Sequence, residues 1–273
     1  MAIVKHIKSK NANYTDAINY LFYQHDEKTK TLLLNEYGQP MLREEFYADG
    51  LNCTPETFDL DCSGTNRTFN KNRRPGEIKS HHYIISYDPR DASDCGLTGE
   101  KAQELSLEVA QKMFPGHQAL VVTHTDGENH SGNIHTHIVI NSVRANETEK
   151  EDYMTQASDY KAGGKHRSTN KFMEHFKKEV MAMCEREGLH QIDLLSPAPE
   201  KVTEAEFRAK SRGQEKMEKI NKKITAEGLK PSATTFQTQK DFLRKAIKDC
   251  SREAKNFEEF QSLLLENYNI SVI

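Results

Sequence analysis

No two cysteines in this chain of 273 residues are spaced Cys-x-x-Cys. The five that occur (Cys53, Cys62, Cys95, Cys184 and Cys250) are odd in number and scattered. That argues against a zinc ribbon or a disulfide framework and fits a reducing cytoplasm. A run of about 18 apolar residues is also missing, as is a signal-peptide pattern at Met-Ala-Ile-Val-Lys-His. A cytoplasmic protein without membrane insertion is therefore expected. Excess positive charge is absent too: the net charge is −3 and the pI about 6.5. Any nucleic-acid contact must then come from a local basic patch. With 36% hydrophobic and 29% charged residues, the chain can bury a core as one large domain or one domain plus an appendage. No internal repeat occurs. The final Ile-Ser-Val-Ile reads as a strand entered from a turn with nothing after it, so truncation is expected.

What is present centres on residues 118–143. Two apolar runs, at 119–122 and 138–140, flank a polar loop carrying Asp126, Gly127 and Gly132, which is a hairpin pattern. His135 and His137 are two apart and project from one face of a strand. His124 closes the preceding strand, and antiparallel pairing can set it beside them. Three neutral imidazoles with open positions can hold a divalent metal. The plain alternative is a His-x-His strand that binds nothing. His130 lies in the loop, where no strand fixes it.

The remaining elements frame this hairpin. Residues 2–7 read as a strand and 15–26 as a helix with Thr15 as its cap. At ~100° per residue, Tyr14, Ala17, Ile18, Leu21 and Phe22 share one side of that helix. Tyr20 lies opposite, with Tyr23 nearby; it either edges a second packing surface or points into a cleft. Residues 27–80 look irregular, with a short strand at 32–34. Their end carries Arg67, Lys71, Arg73, Arg74 and Lys79, interrupted only by Glu77. This is a solvated loop or a phosphate-contact surface. A strand at 81–87 ends at Asp88-Pro89, and a helix follows from Thr98 to about 112. Residues 151–168 form a loop in which Gly163-Gly164 sits among Lys161, Lys165, His166 and Arg167, either simply flexible or suited to phosphate. A helix at 168–187 and a last strand at 192–195 precede a boundary near 197. Helices at 203–227, 238–253 and 256–267 complete the chain.

This order, together with specific stretches, resembles the HUH endonuclease superfamily, and most closely the relaxases (mobilization nucleases) of Gram-positive conjugative and mobilisable transposons. The stretches are Lys79-Ser-His-His-Tyr-Ile-Ile-Ser-Tyr-Asp-Pro-Arg, Gly96-Leu-Thr-Gly-Glu, Phe114-Pro-Gly-His-Gln-Ala-Leu, His124-Thr-Asp-Gly, Gly132-Asn-Ile-His-Thr-His-Ile-Val-Ile-Asn-Ser and Glu187-Gly-Leu-His-Gln-Ile-Asp-Leu-Leu-Ser-Pro. The resemblance implies an α/β (α+β) fold: a central antiparallel sheet of about five strands flanked by helices, then a helical C-terminal region. The relaxase domain would span 1–197 and a helical appendage 198–273. It further implies a metal triad of His124, His135 and His137, and Tyr20 as nucleophile within Ala17-Ile-Asn-Tyr20-Leu, with Tyr23 as runner-up. A supporting carboxylate would be Asp88, or less well Asp126.

The expected reaction is metal-assisted attack of the Tyr20 hydroxyl on DNA at an origin of transfer. It leaves a free 3′-hydroxyl and a reversible 5′-phosphotyrosine. The metal would be manganese or magnesium. The partner would be single-stranded DNA, with flanking duplex or a hairpin, bound through Arg67, Lys71, Arg73, Arg74, Lys79, Lys161, Lys165 and Arg167. Accessory transfer proteins and a coupling protein are further expected partners. Competing readings are a rolling-circle initiator or Tyr transposase, a three-His cupin-like oxygenase, and a non-catalytic DNA-binding protein.

Overall fold

The structure, a computed structural model, describes residues 2–26, 29, 31–127, 133–197 and 202–272. His130 and Gly132 lie outside the described residues. The chain divides into two compact units, Met1–Pro197 and Ala198–Ile273.

The first unit is built on β4 (His117–His124) and β5 (His135–Arg144), whose apolar runs are buried on both faces. A strand covered on both sides needs continuous rather than alternating hydrophobicity. Around this pair lie β3 (Ser80–Ser86), β1 (Ile3–Ser9) and β2 (Phe46–Leu51), in the antiparallel order β1-β3-β5-β4-β2. One face carries Tyr83, Ile85, Val121, Ile138 and Ile140. These pack with Leu105 and Val109 of α4 (Gly99–Met113) and Phe176 and Val180 of α5 (Asn170–Arg186). The opposite face carries Leu120, Val122 and Val139. They pack with Tyr14, Leu21 of α1 (Thr15–Phe22), and Phe58 and Cys62 of α2 (Phe58–Thr68). The short α3 (Pro89–Asp94) follows β3. An open five-stranded sheet between helices is not the many-stranded barrel that a cupin-like oxygenase requires.

Several local expectations change. No strand forms at 192–195; the fifth strand is β2, from the stretch read as irregular. Its Asp49-Gly50 pair weakens the strand signal, and Gly50 is there because a Cβ would strike the Cys53 carbonyl. The helix α2 was hidden by its Asp, Ser, Gly, Thr and Asn content. Residues 32–34 contribute only isolated bridges, His25 to Leu32 and Leu34 to Pro40. Thr15 does not cap α1, because its hydroxyl donates to Asp59 at 2.8 Å.

A buried polar knot fixes α1 instead. The Tyr14 hydroxyl lies 2.9 Å from the Lys79 carbonyl and 3.1 Å from Asn141 Oδ1, and accepts from Asn66 at 2.9 Å. Burial pushes the Tyr14 phenol up to about 12. Asn72 bonds Asn66, Ser142 and the same Lys79 carbonyl. Such a network is stable because its buried polar groups find partners within it. It sets where the helix carrying Tyr20 begins.

The second unit comprises α6 (Glu204–Ala226), α7 (Gln239–Glu253) and α8 (Phe257–Tyr268). Capping side chains from Thr203, Thr238 and Asn256 start them. Its core is small, with Ala246, Cys250 and Leu264 fully enclosed. Glu206 ties α6 to α7 through Lys240 at 2.8 Å and Arg244 at 2.9 Å.

Candidate active site

Antiparallel register places His124 directly opposite His135. His137 follows two residues on and shares their face of the sheet. One candidate ligand atom from each of the three lies within 4.8 Å of the others. Every ring also uses its remaining nitrogen. His124 Nε2–H donates to the Leu21 carbonyl at 2.7 Å, and His135 Nδ1–H donates to the Asn133 carbonyl at 2.9 Å. His137 Nδ1 lies 2.8 Å from His82 Nε2. Leu21 is available because the last four carbonyls of a helix have no partner within it. These contacts fix ring orientation and point the opposite nitrogens at one another, as in metal sites whose histidines are oriented by outer partners.

Burial holds His124 and His137 in their ligating, neutral form. The His124 imidazole is pushed down to about 3, first by desolvation and then by the Arg43 charge. His137 lies well below the usual range, through desolvation and then its neighbour His82. Three imidazole nitrogen donors with no carboxylate among them fit a first-row divalent ion. Manganese is therefore expected to raise the melting temperature of the wild type and not that of His135→Ala. At a hundredfold excess over Kd the rise corresponds to about 2.7 kcal/mol. Scanning calorimetry with and without manganese reads this, and equal rises in both proteins would remove His135 from the site.

Tyr20 is 48% exposed, and its ring stands edge-on to His137 with centroids 5.9 Å apart. His25 lies beside it at 5.8 Å, with Nδ1–H donating to the Tyr23 carbonyl. Tyr23 ends α1 and bridges to Leu42; among the described residues it makes no ring contact with the three histidines. Both expected carboxylates have partners of their own, and the Asp126 charge also acts on His124. Asp88 caps α3, accepting from the Arg90 backbone at 2.9 Å and its guanidinium at 3.0 Å. Asp126 pairs with Arg43 at 2.7 Å. The group that meets His137 is a third kind of residue, His82, and Arg43 is the cation nearest this cluster in effect. Neither stood out in the sequence. The His82 signal was alternation along β3, which puts it on the same sheet face as His137.

The cations divide. Arg67, Lys71, Arg73, Arg74 and Lys161 are exposed. Lys79 corrects the expectation: it is 4% exposed and its ammonium donates to the Arg74 carbonyl at 2.7 Å. Lys165 faces Glu77 at 3.8 Å and Arg167 faces Asp159 at 3.4 Å, so both are already paired. The glycine pair also has an internal reason. A Cβ on Gly163, at φ +73°, would meet the Phe69 ring, and one on Gly164 would overlap the Ser158 carbonyl. Gly164→Ala is expected to cost about 1–3 kcal/mol through forced backbone shifts, which chemical denaturation would register. An unchanged midpoint would show that the loop moves freely.

Residues 33–189 match the family described as Relaxase: MobA/VirD2-like, nuclease domain. The chain belongs to that family of mobilization relaxases. Its similar proteins include one named Protein rlx from Staphylococcus aureus, 25% identical over 217 residues, covering 80% of this chain and 52% of that one. A second Staphylococcus aureus Protein rlx is 32% identical over 140 residues, covering 51% and 36%. The chain thus spans about half the length of the first of these curated relatives. Among solved structures, the conjugative relaxase TrwC in a metal-bound complex with oriT DNA overlays with a TM-score of 0.40 at 13% identity, over 97% of this chain and 98% of that one. A chain from a study of vancomycin resistance transfer in Staphylococcus aureus gives 0.42 at 15% identity, over 70% and 96%.

Proposed function

We propose that this relaxase nicks one DNA strand at an origin of transfer by attack of Tyr20. The observation that carries this reading is the placement of an exposed phenol edge-on to a buried three-histidine cluster. The Tyr20 oxygen forms a bond to the scissile phosphorus while the bond to the 3′-oxygen breaks. One strand end leaves as a 3′-hydroxyl, and the 5′-phosphate stays on the tyrosine. His25 offers an imidazole nitrogen for the phenolic proton, and that proton can return to the leaving oxygen. The number of phosphodiester-type bonds is unchanged, so the step reverses and the strand can be rejoined. A manganese or magnesium ion held by His124, His135 and His137 would supply Lewis-acid polarisation of the phosphate. Arg43, held by Asp126 at 2.7 Å, would bring a paired rather than a free positive charge beside His124. His82 keeps His137 in one tautomer and orientation.

The exposed cations Arg67, Lys71, Arg73, Arg74 and Lys161 would track the single strand by backbone contact. The Met1–Pro197 unit would carry the chemistry. The Ala198–Ile273 unit would contact flanking duplex or accessory transfer proteins. The test is incubation of the chain with a random single-stranded DNA library and manganese, followed by denaturing electrophoresis and recovery of covalently held DNA. The expected product is a detergent-resistant adduct with phosphotyrosine linkage and one enriched 5′-end. Release of free 5′-phosphate ends with no adduct would instead mean hydrolysis and overturn the assignment.

A further inference from the structure

Away from the three-histidine site, a second convergence of metal-binding side chains lies between α3 and the segment after α5. Asp91 and Cys95 are four residues apart and share one side of the α3 turn. His190 comes from the other end of the fold. Gly188, at φ +67°, turns the chain out of α5, Leu189 is buried, and the His190 carbonyl accepts from the Ala2 backbone at 3.2 Å. Asp91 Oδ1 lies 2.8 Å from His190 Nδ1 and 3.9 Å from Cys95 Sγ; Sγ lies 3.8 Å from that nitrogen. A carboxylate, a thiol and an imidazole thus each present one donor within 4.8 Å.

We propose that Asp91, Cys95 and His190 form a zinc-type site with a fourth position open to water. Tetrahedral bond lengths place such donors about 3.3–3.6 Å apart, so the observed spacings need shifts of about half an ångström. Three observations support this beyond proximity. First, Asp91 is fully buried, and its only ion-pair partner among the described residues is His190, which is charged only if protonated. The Asp91 oxygens also accept the Asp88 backbone N–H at 3.0 Å and the His190 backbone N–H at 2.8 Å, and a divalent ion would add a full positive charge to these bonds. Second, Asp94 Oδ2 lies 3.5 Å from His190 Nε2, on the far side of the ring from the other two donors. That is the arrangement in which an outer carboxylate orients a ligating histidine. Third, Cys95 is exposed, so a metal has a path in.

The proton balance is simple. Without metal the thiol points at the Gly188 carbonyl, 3.3 Å away, and His190 Nδ1–H donates to Asp91. Binding expels the thiol proton. The imidazole proton moves from Nδ1 to Nε2, where Asp94 accepts it. Partial desolvation and the two carboxylates otherwise hold the thiol above its usual range, the reverse of an activated nucleophile. The mixed donors, one soft and two harder, suit zinc or cobalt rather than magnesium. This inference does not depend on the tyrosine chemistry.

Cobalt(II) titration of the full chain under reducing conditions tests it, because thiolate coordination gives a charge-transfer band in the near ultraviolet that imidazole coordination does not. The wild type should develop the band with one equivalent, and one equivalent of zinc should bleach it. Cys95→Ser, an exposed substitution compatible with folding, should abolish the band, whereas His135→Ala should keep it. His190→Gln should weaken cobalt affinity at this site at least tenfold with the melting temperature of the metal-free protein measured alongside. Absence of the band in wild type, or its survival in Cys95→Ser, would overturn the site and leave the cluster as a hydrogen-bonded tie.

Discussion

Tyr20→Phe is expected to eliminate the covalent DNA adduct while leaving the folded protein and its metal response intact. The substitution removes one oxygen from a ring that is half exposed, and among the described residues that hydroxyl makes no hydrogen bond. Surface changes of this kind stay within about 0.5 kcal/mol. Loss of a nucleophile, by contrast, lowers rate by several orders of magnitude. The manganese-dependent melting shift should persist, since His124, His135 and His137 are untouched. Tyr23→Phe should retain adduct formation within a few-fold. If the adduct instead survives in Tyr20→Phe and vanishes in Tyr23→Phe, the wrong tyrosine has been assigned. Adduct in both single variants would point to a different residue altogether.

The second large effect is acid lability. On the sheet face away from the active site, His6, His81, His117 and His166 gather around Tyr83. His6 Nε2 lies 3.0 Å from His81 Nδ1, and the Tyr83 hydroxyl lies 2.7 Å from His166 Nε2. His117 Nδ1–H donates to the Asn141 carbonyl at 2.9 Å, and its buried Nε2 has no hydrogen-bond partner among the described residues. The charged groups bearing on this cluster are cationic, namely Lys8, Lys165 and Arg144. Desolvation, then these charges and the neighbouring rings, push His6 down to about 4 and His81 to about 3. His117 and His166 also lie well below the usual range.

The folded state therefore binds fewer protons than the unfolded state between about pH 6.5 and 4. Stability is full above 6.5 and is lost as the pH falls through that window. A tenfold change in proton affinity is worth about 1.4 kcal/mol, so His81 alone contributes on the order of several kcal/mol against a total of roughly 5–15. Urea midpoints measured from pH 7.5 to 4.5 should fall steeply below 6.5, before most carboxylates protonate. His124 and His137 respond in the same sense, so His81→Leu is the informative comparison: its slope, rather than its absolute stability, should flatten. A midpoint that is level from pH 7 to 5 would show that these rings gain protons without cost.

Particular residues show what was legible in the sequence. His135 and His137 announce themselves because a strand has a period of two. His124 follows because a hairpin must bring its two ends together. Leu21 and Tyr14 fall on the packed side of α1 by helical spacing alone. What the sequence did not reveal has a different cause. Asp88-Pro89 reads as the end of a strand, and the carboxylate is consumed by the helix that starts there. Lys79 looks like one of five cations, yet burial decides its role, and burial depends on Asn72 and Tyr14 from elsewhere in the chain. His82 is adjacent to His81 in sequence, but the two point into opposite layers with unrelated jobs. Arg43 sits in an irregular stretch and gains meaning only through its pairing with Asp126 across 83 positions. Contacts of that range leave no local pattern to read.

The bond from His124 to the Leu21 carbonyl makes the helix carrying Tyr20 and the three-histidine cluster one mechanical part. The α1 helix is clamped at both ends, by the Tyr14 knot at its start and by a cluster imidazole at its finish. Tyr20 can swing only about its own side-chain bonds, while the helix beneath it is tethered. In the proposed cut-and-rejoin cycle, DNA strands would then be brought to a tethered phenol. The same tether makes the helix a gauge. Amide exchange at Leu21 and Phe22 should slow when the histidines are occupied, so occupancy can be read from the backbone of the residue next to Tyr20.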